Sequence, residues 1–390
     1  MIAPKLAYRN LVGAGLRTWL NIIVLSMAYV IIIWQRGLLD GWNQQALRDM
    51  IAWEIGGGQY WHQPYDPYDA FTLEESHAPV PEALADISSG HSAAPILIAQ
   101  ATIYPQGRMQ SVILKGIAPA QTVLSLPTSD LQTDIPEIPV LIGTRMAKSA
   151  DLHMGDGVTL RWRDAHGTFD AADAKIVRIM KTSVSSVDQG QMWLPLARLQ
   201  TMMRMPGEAT IIVTGQAPKE PGPPPGWVFR DLAFLTQDLA DMIRMKEVSG
   251  SMVYAVLLSL ALLAIFDTQV LAIFSRRKEI GTLIALGMTR GAVIRLFTLE
   301  GAMHGILAAV VAATYGIPLL SLQAVRGFAM PAAVDSFGLA IAERVFPVYS
   351  AGLVASTTVI VLVAVTLVSF IPARGIARMN PTDAIRGKLS

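Results

Sequence analysis

The chain has 390 residues, of which 52% are hydrophobic and 16% charged, and its mean hydropathy is +0.42. It is too apolar for an ordinary soluble protein and too polar for a chain that lies wholly in a membrane, which predicts a few spans and one large soluble domain. The net charge of +1 gives no indication of nucleic-acid binding, and the absence of Cys excludes disulfides and thiol chemistry.

The N-terminal region predicts a short amphipathic helix on the inner membrane surface, residues 1–17, followed by a first span, residues 18–36. Lys5, Arg9 and Arg17 lie in this region without an acidic residue. Lys and Arg near a span are retained on the cytoplasmic side, so the N-terminus is predicted to be cytoplasmic. No small-x-small cleavage site follows the apolar run, and we therefore interpret it as an uncleaved transmembrane helix.

Residues 37–247 predict a large α+β domain on the periplasmic side. Two strand-like segments, 94–104 and 110–117, flank a Pro-Gln-Gly turn and predict a β-hairpin. The stretch 119–139 is rich in Pro, Thr, Ser and Asp, which is typical of a linker. We therefore expect two subdomains, the second inserted at about 120–205. The His residues of this domain show no metal-ligand spacing, so no metal site is predicted.

The remainder of the chain alternates apolar runs with short polar segments. An amphipathic helix at 234–246 is expected to lead back to the membrane. The segments that follow are a second span at 250–274, a cytoplasmic loop at 275–295, a third span at 297–322, a short periplasmic loop at 323–347, a fourth span at 348–370 and a basic cytoplasmic tail at 371–390. The predicted fold class is an α-helical membrane protein with four transmembrane helices and a large α+β extracytoplasmic domain between the first and second helices.

The loop between the second and third spans has a distinctive pattern. It opens with Arg276, Arg277 and Lys278, continues with apolar residues at helical spacing, and stops at Gly287. On charge alone, this is a cationic stop after a membrane helix. The sequence of this loop also resembles the motif E-R-x-x-E-I-G-x-L-x-A-L-G-x-x-x-x-x-I of FtsX/MacB/LolC/LolE-type ABC transporter permeases. The matching residues are Arg276, Glu279, Ile280, Gly281, Leu283, Ala285, Leu286, Gly287 and Ile294, with Ser275 in place of the first Glu.

The C-terminal tail supports the same resemblance. It is similar to the family phrase P-A-R-x-A-A-x-x-x-P-x-x-A-L-R, and the alternative is a basic amphipathic tail on anionic lipid. The matching residues are Pro372, Ala373, Arg374, Ala377, Pro381, Ala384 and Arg386, with Ile385 in place of Leu. A third phrase, in the soluble domain, is similar to that of the MacB-like periplasmic domain at Gly143, Ala147, Gly155, Asp156, Val158 and Leu160.

The resemblance implies that the loop is a coupling helix that docks in a groove of a separate ABC ATPase. The ATPase-coupling residues it implies are Arg276, Arg277, Lys278, Glu279, Ile280, Gly281, Leu283, Leu286 and Gly287, and the implied tail residues are Pro372, Arg374, Pro381 and Arg386. The sequence has no Walker A phrase GxxxxGK[ST], so it predicts neither enzymatic activity nor a cofactor in this chain. ATP and Mg would be bound by a pair of partner ATPases, and two permease copies, or one copy with a paralogue, would meet in the membrane.

Polar residues within the predicted spans are functional candidates, because a carboxylate there costs about 2.5–3.5 kcal/mol on insertion scales. They are Asp267, Thr268, Glu300 and His304. For Asp267 we favour a polar contact between packed helices over a proton-relay role. The family also implies an apolar cargo cleft on the first two helices, with Met27, Ile31, Trp34, Tyr254 and Leu258 as candidates.

The function implied by the resemblance is mechanotransmission, with the layout closest to lipoprotein-releasing LolC and LolE. Cargo lipoproteins would be extracted from the inner membrane and passed to a periplasmic carrier. The alternatives are MacB-like efflux of peptides, lipids or drugs with an adaptor, and FtsX-like signalling to a periplasmic cell-wall hydrolase. The expected location is the bacterial inner membrane, with both termini cytoplasmic and membrane lipids as neighbours.

Overall fold

The computed structural model describes residues 15–84, 92–217, 223–329 and 344–378. The chain divides into two compact units. The helical unit comprises residues 1–43, 243–329 and 344–390, and the β-rich unit comprises residues 44–242 and 330–343. Most of the predicted N-terminal helix (1–17), and the end of the tail with Pro381 and Arg386, lie outside the described residues.

The helical unit is built on five helices of the described part of the chain. They are α1 (Gly15–Met50), α2 (Gln237–Ser275), α3 (Arg277–Ala285), α4 (Arg290–Arg326) and α5 (Ala351–Ala373). Within the described residues, four of them, α1, α2, α4 and α5, are long and apolar enough to cross a membrane. This agrees with the predicted number of spans.

Two of these helices are longer than the spans predicted within them. At 1.5 Å per residue, the 36 residues of α1 extend about 54 Å, more than the roughly 30 Å of a bilayer core. The amphipathic helix predicted at 234–246 is not a separate element: a single turn at Leu232–Leu235 precedes α2, which then continues unbroken to Ser275. Gly250 is the single glycine of α2, and it is buried within the helix.

Small residues allow the helices of the helical unit to approach one another closely. A Cβ atom at Gly301 of α4 would lie 2.1 Å from the Ser369 Oγ of α5, and one at Gly316 would lie 2.8 Å from the Val30 Cγ2 of α1. Close approach through small residues is the usual way for helices to associate in a membrane, where the hydrophobic effect between them is absent. The largest fully buried side chains of this unit include Ile22, Leu25, Tyr29 and Phe297.

The β-rich unit is built on one nine-stranded sheet. Its strands are β1 (Gly58–His62), β3 (Ala93–Ile103), β4 (Gln110–Ile117), β5 (Ile138–Gly143), β6 (Gly157–Arg163), β7 (Phe169–Met180), β8 (Gln191–Pro195), β10 (Ile211–Thr214) and β11 (Trp227–Arg230), and a separate short pair joins β2 (Ala78–Pro79) to β9 (Glu208–Ala209). The strand order in the sheet is β11-β1-β10-β3-β4-β8-β5-β7-β6. The antiparallel pairing of β3 with β4 confirms the predicted hairpin. Because β3 also pairs with β6, the six strands from β3 to β6 form a closed ring.

The linker and the inserted subdomain predicted from composition are not present as separate parts. Leu124, Leu126 and Leu131, within the proposed linker, are buried in the same core as Trp193 of β8. The strands of the proposed subdomain at 120–205 continue the sheet begun by β3 and β4, since β8 pairs with β4. Although its composition is rich in Pro and Ser, the segment 119–139 therefore packs against the sheet through three buried leucines.

The end of α1 is anchored within the β-rich unit. The helix continues as a π-helical segment, Ile51–Ile55, and ends at Gly56, whose φ of +67° suits a residue without a Cβ. Glu54 in this segment forms an ion pair with Lys115 of β4 at 3.2 Å. The Lys115 ammonium also lies 5.1 Å from the centroid of the Trp193 ring. The chain that leaves the helical unit is thus tied into the sheet.

Candidate partner-docking site

The helix α3 lies between the end of α2 and the beginning of α4, at the position of the predicted coupling loop. It ends in a Schellman motif: the Met288 N–H donates to the Leu283 carbonyl at 3.0 Å, and the Gly287 N–H donates to the Ile284 carbonyl at 3.0 Å. Gly287 has a φ of +97°, which a residue with a Cβ adopts only with strain. The glycine at the end of the predicted helix therefore has a defined structural role.

One face of α3 is buried against the ends of the long helices. Ile280 is fully buried, and it joins a small apolar cluster with Ile273, Val293, Phe297, Ala373 and Ile376. These residues come from α2, α4 and α5 and from the turn after α5. The short helix α3 is therefore packed against the long helices of the same chain.

Arg276 fixes the beginning of α3. Its Nη1 donates to both carboxylate oxygens of Glu300 on α4, at 3.1 and 3.2 Å, and its Nε donates to Glu279 at 2.7 Å. The guanidinium also lies 5.2 Å from the centroid of the Phe297 ring. Burial acts to lower the pKa of Arg276, but hydrogen bonding and charge from Glu279 and Glu300 raise it above its usual value. Arg276, predicted as a partner contact, therefore holds α3 to α4.

The opposite face of α3 is open. Lys278 and Glu279 are exposed, and Leu286 just after the helix is 81% exposed. Arg277 and Leu283 are partly buried, and the Arg277 guanidinium lies 4.4 Å from the centroid of the Phe274 ring. The nine predicted residues thus separate into an inward set, Arg276, Ile280 and Gly281, and a more accessible set that includes Lys278, Glu279, Leu286 and Gly287.

The polar residues predicted within the spans have different surroundings. Glu300 is paired with Arg276, and His304 is buried with its Nδ1 atom 3.0 Å from the Glu300 carbonyl oxygen. The Thr268 hydroxyl accepts a hydrogen bond from the Asn21 amide of α1. These residues contact neighbouring backbone or side chains inside the helical unit, which is the ordinary arrangement for polar groups at membrane depth.

The interhelical contact predicted for Asp267 does not occur with another helix of the described part of this chain, and a contact with a second copy stays a prediction. The Asp267 side chain is exposed on the surface of α2, because the helix turns the adjacent residues, Thr268 and Gln269, towards the bundle instead. Gln269 is only 3% exposed and was not predicted as a site. The feature of the sequence that could have indicated Gln269 is a single glutamine within an apolar run.

The candidate cleft residues are divided between two environments. Met27 and Ile31 are exposed on α1, at 53% and 38%, whereas Leu258 is partly buried against the helical core. Tyr254 is also partly buried, and its ring centroid lies 5.8 Å from the Arg36 guanidinium. Trp34 is partly buried as well. The exposed residues thus form an apolar surface on α1.

The described part of the tail continues directly from α5. Pro372 lies within the last turn of α5, and Arg374 begins a short 3₁₀ segment, Arg374–Arg378. The Arg374 guanidinium lies 5.8 Å from the centroid of the Phe370 ring. Ile376 of this segment belongs to the cluster beneath α3, so the beginning of the tail supports the candidate docking site.

Comparison with known proteins agrees with this arrangement. Residues 251–381, which include α3, match the family of the FtsX-like permease C-terminal domain. The chain is also similar to the lipoprotein-releasing system transmembrane protein LolC of Xylella fastidiosa (strain 9a5c), with 23% identity over 330 residues, covering 75% of this chain and 77% of that protein. The permease-domain match, the LolC relative and the four apolar helices together support an ABC permease of the FtsX/LolC type.

Proposed function

We propose that this permease couples ATP hydrolysis by a separate pair of ABC ATPases to the release of lipoproteins from the outer leaflet of a bacterial inner membrane. In this proposal α3 is cytoplasmic and docks in a groove of the ATPase, which binds ATP and Mg. The β-rich unit is periplasmic, and a second permease copy or a paralogue completes the assembly. The helices α1 and α2 each have residues in both units, so they are the elements that would carry movement between them.

The observation that carries the proposal is the two-sided character of α3. Its inner face is held by the fully buried Ile280 and by the ion pair of Arg276 with Glu300. Its outer side presents Leu286, which is 81% exposed, and the exposed charged residues Lys278 and Glu279. An exposed apolar side chain on a short helix is suited to a partner groove, where such residues supply much of the binding free energy. Because the inner face is packed, a force applied to α3 would reach α2, α4 and α5.

The choice of cargo depends on the LolC relative and on the apolar surface of α1. That relative is named a lipoprotein-releasing system protein. Met27 and Ile31 offer an exposed apolar surface to which acyl chains would bind through the hydrophobic effect and through the adaptable thioether of methionine. Release to a periplasmic carrier needs no passage of the cargo across the bilayer, so a central pore is not required.

The first test is isolation of the protein in mild detergent, with every co-purifying chain identified by mass spectrometry. We expect an ABC ATPase together with lipoprotein. An ATPase with an adaptor and no lipoprotein would favour MacB-like efflux, and a bound cell-wall hydrolase would favour FtsX-like signalling. Absence of any ATPase would contradict the proposal.

The docking site is tested by Leu286→Asp in the same preparation. Loss of a central apolar contact costs about 2 kcal/mol or more, so ATPase retention should fall by at least about tenfold. Met154→Asp is the matched control, since Met154 is also an exposed apolar residue, 66% exposed, but lies in the β-rich unit. Unchanged ATPase retention in Leu286→Asp would show that α3 is not the docking site.

A further inference from the structure

An apolar groove lies between α1 and α4 within the helical unit. It encloses a cavity of about 440 Å³, which is within the range of small-molecule sites. Val30 and Leu320 are buried at its base, whereas Ile31, Leu319 and Leu322 are exposed along its rim. An apolar groove between two long apolar helices has the chemistry to hold part of a hydrocarbon chain.

One end of this groove is polar and cationic. Gln323, Arg326 and Gly327 line it there, at the C-terminal end of α4. The Arg326 side chain is exposed and has no acidic partner in the described part of the chain. The Arg344 guanidinium donates to the Arg326 carbonyl oxygen at 3.2 Å, so Arg344 lies at the same end.

The Gln323 side chain adds hydrogen-bond donors at this end. Its Oε1 accepts from the Tyr349 hydroxyl at 3.4 Å, which leaves its amide N–H groups without a partner in the described residues. A phosphate group is bound well by a guanidinium with its forked donors, and a neighbouring amide provides further hydrogen bonds.

Aromatic residues indicate where this end lies along the bilayer normal. Trp34 of α1 lines the groove, and its ring packs edge-to-face against that of Phe328, with the centroids 6.0 Å apart. Trp is enriched at the level of the lipid headgroups, because its ring is apolar and its N–H is polar. A cationic end beside such a pair, with the apolar channel extending from it, matches the layout of a phospholipid molecule.

We propose that the groove between α1 and α4 binds one anionic phospholipid, with its phosphate at Arg326 and an acyl chain along Ile31, Leu319 and Leu322. The charge complementarity of the cationic end and the apolar channel selects this occupant. The site is separate from α3, but it shares Ile31 with the apolar surface of α1 proposed above for cargo acyl chains.

The test uses the full-length protein reconstituted in nanodiscs of equal phosphatidylglycerol and phosphatidylcholine, then released in mild detergent for native mass spectrometry. We expect the wild type to retain one phosphatidylglycerol in preference to phosphatidylcholine. Arg326→Gln should reduce that retention by about tenfold, since a hydrogen-bonded charge contact is lost. Leu322→Trp should reduce it similarly, because the larger ring fills the channel without removing a charge.

Two matched controls accompany these variants. Arg295→Gln removes an exposed arginine from the other end of α4, and Val325→Trp adds a ring at a residue of the same end that does not line the groove and is 80% exposed. Both should retain phosphatidylglycerol like the wild type. The proposal is overturned if Arg326→Gln or Leu322→Trp retains the lipid at the wild-type level, if Arg295→Gln loses it equally, or if the wild type retains both lipids without preference.

Discussion

The contact between Arg276 and Glu300 should hold α3 in place, and its removal should destabilise the helical unit. The Glu300 side chain is 10% exposed and the Arg276 side chain 27% exposed, so the pair is largely shielded from solvent. Arg276→Gln removes the positive charge and leaves the Glu300 carboxylate buried without its partner. That loss exposes the desolvation cost that the ion pair had offset.

The expected size of the effect follows from this geometry. Two opposite charges about 4 Å apart interact by about 4 kcal/mol at an effective dielectric constant of about 20, and breaking a fully buried pair from one side costs about 3–5 kcal/mol. Because Arg276 retains some contact with solvent, we expect about 2–3 kcal/mol for Arg276→Gln. The double variant Arg276→Gln/Glu300→Gln should recover at least about 1 kcal/mol, since no charge remains buried.

The assay is thermal unfolding of the purified variants in detergent, followed by tryptophan fluorescence. Arg276→Gln should have the lowest melting temperature, with the double variant between it and the wild type. Glu279→Gln is the control: it removes only the exposed partner, 62% exposed, and should change stability by about 1 kcal/mol or less. The reasoning is refuted if Arg276→Gln melts like Glu279→Gln, or if the double variant is less stable than Arg276→Gln alone.

Two further predictions concern glycines of the helical unit and use the same melting assay. Gly301→Ala should destabilise the helical unit by about 1–3 kcal/mol, because the new Cβ would lie 2.1 Å from the Ser369 Oγ. Adding Ser369→Gly to that variant should restore most of the lost stability. Failure of this rescue would show that the clash is not the cause. Gly287→Ala should lower the free energy of unfolding by about 1 kcal/mol, because the φ of Gly287 is +97°. Gly291→Ala is at a helical position with no atom within 4 Å of the new Cβ, so it should be neutral or stabilising. Equal effects of the two substitutions would contradict the assignment of strain at Gly287.

Local patterns in the sequence were sufficient to predict the four long helices and the hairpin. Apolar runs longer than a bilayer core predict the four helices, and the turn between two alternating segments predicts the hairpin of β3 and β4. The motif around Gly287 likewise indicates where α3 ends. The continuity of α2 from Gln237 was missed, because a change from amphipathic to wholly apolar composition does not interrupt the backbone hydrogen bonds of a helix.

Long-range pairing decided the remaining features. The closed ring in the β-rich unit depends on contacts between β3 and β6, strands separated by more than fifty residues, and composition alone indicated a linker where three leucines are buried. No local pattern specifies which strand a given edge will meet, because that choice depends on how the whole sheet twists and closes.

The sequence by itself therefore determined the membrane-spanning helices, the short basic helix between two of them, and the family resemblance that its motifs carry. The tertiary structure alone decided which face of that helix is available to a partner: Arg276 and Ile280 are turned inward, and Leu286 remains exposed. The physical reason is that charge and apolarity specify what a side chain can bind, whereas its partner depends on which distant residues are packed beside it. Glu300, which lies 24 residues further along the chain, is that partner for Arg276.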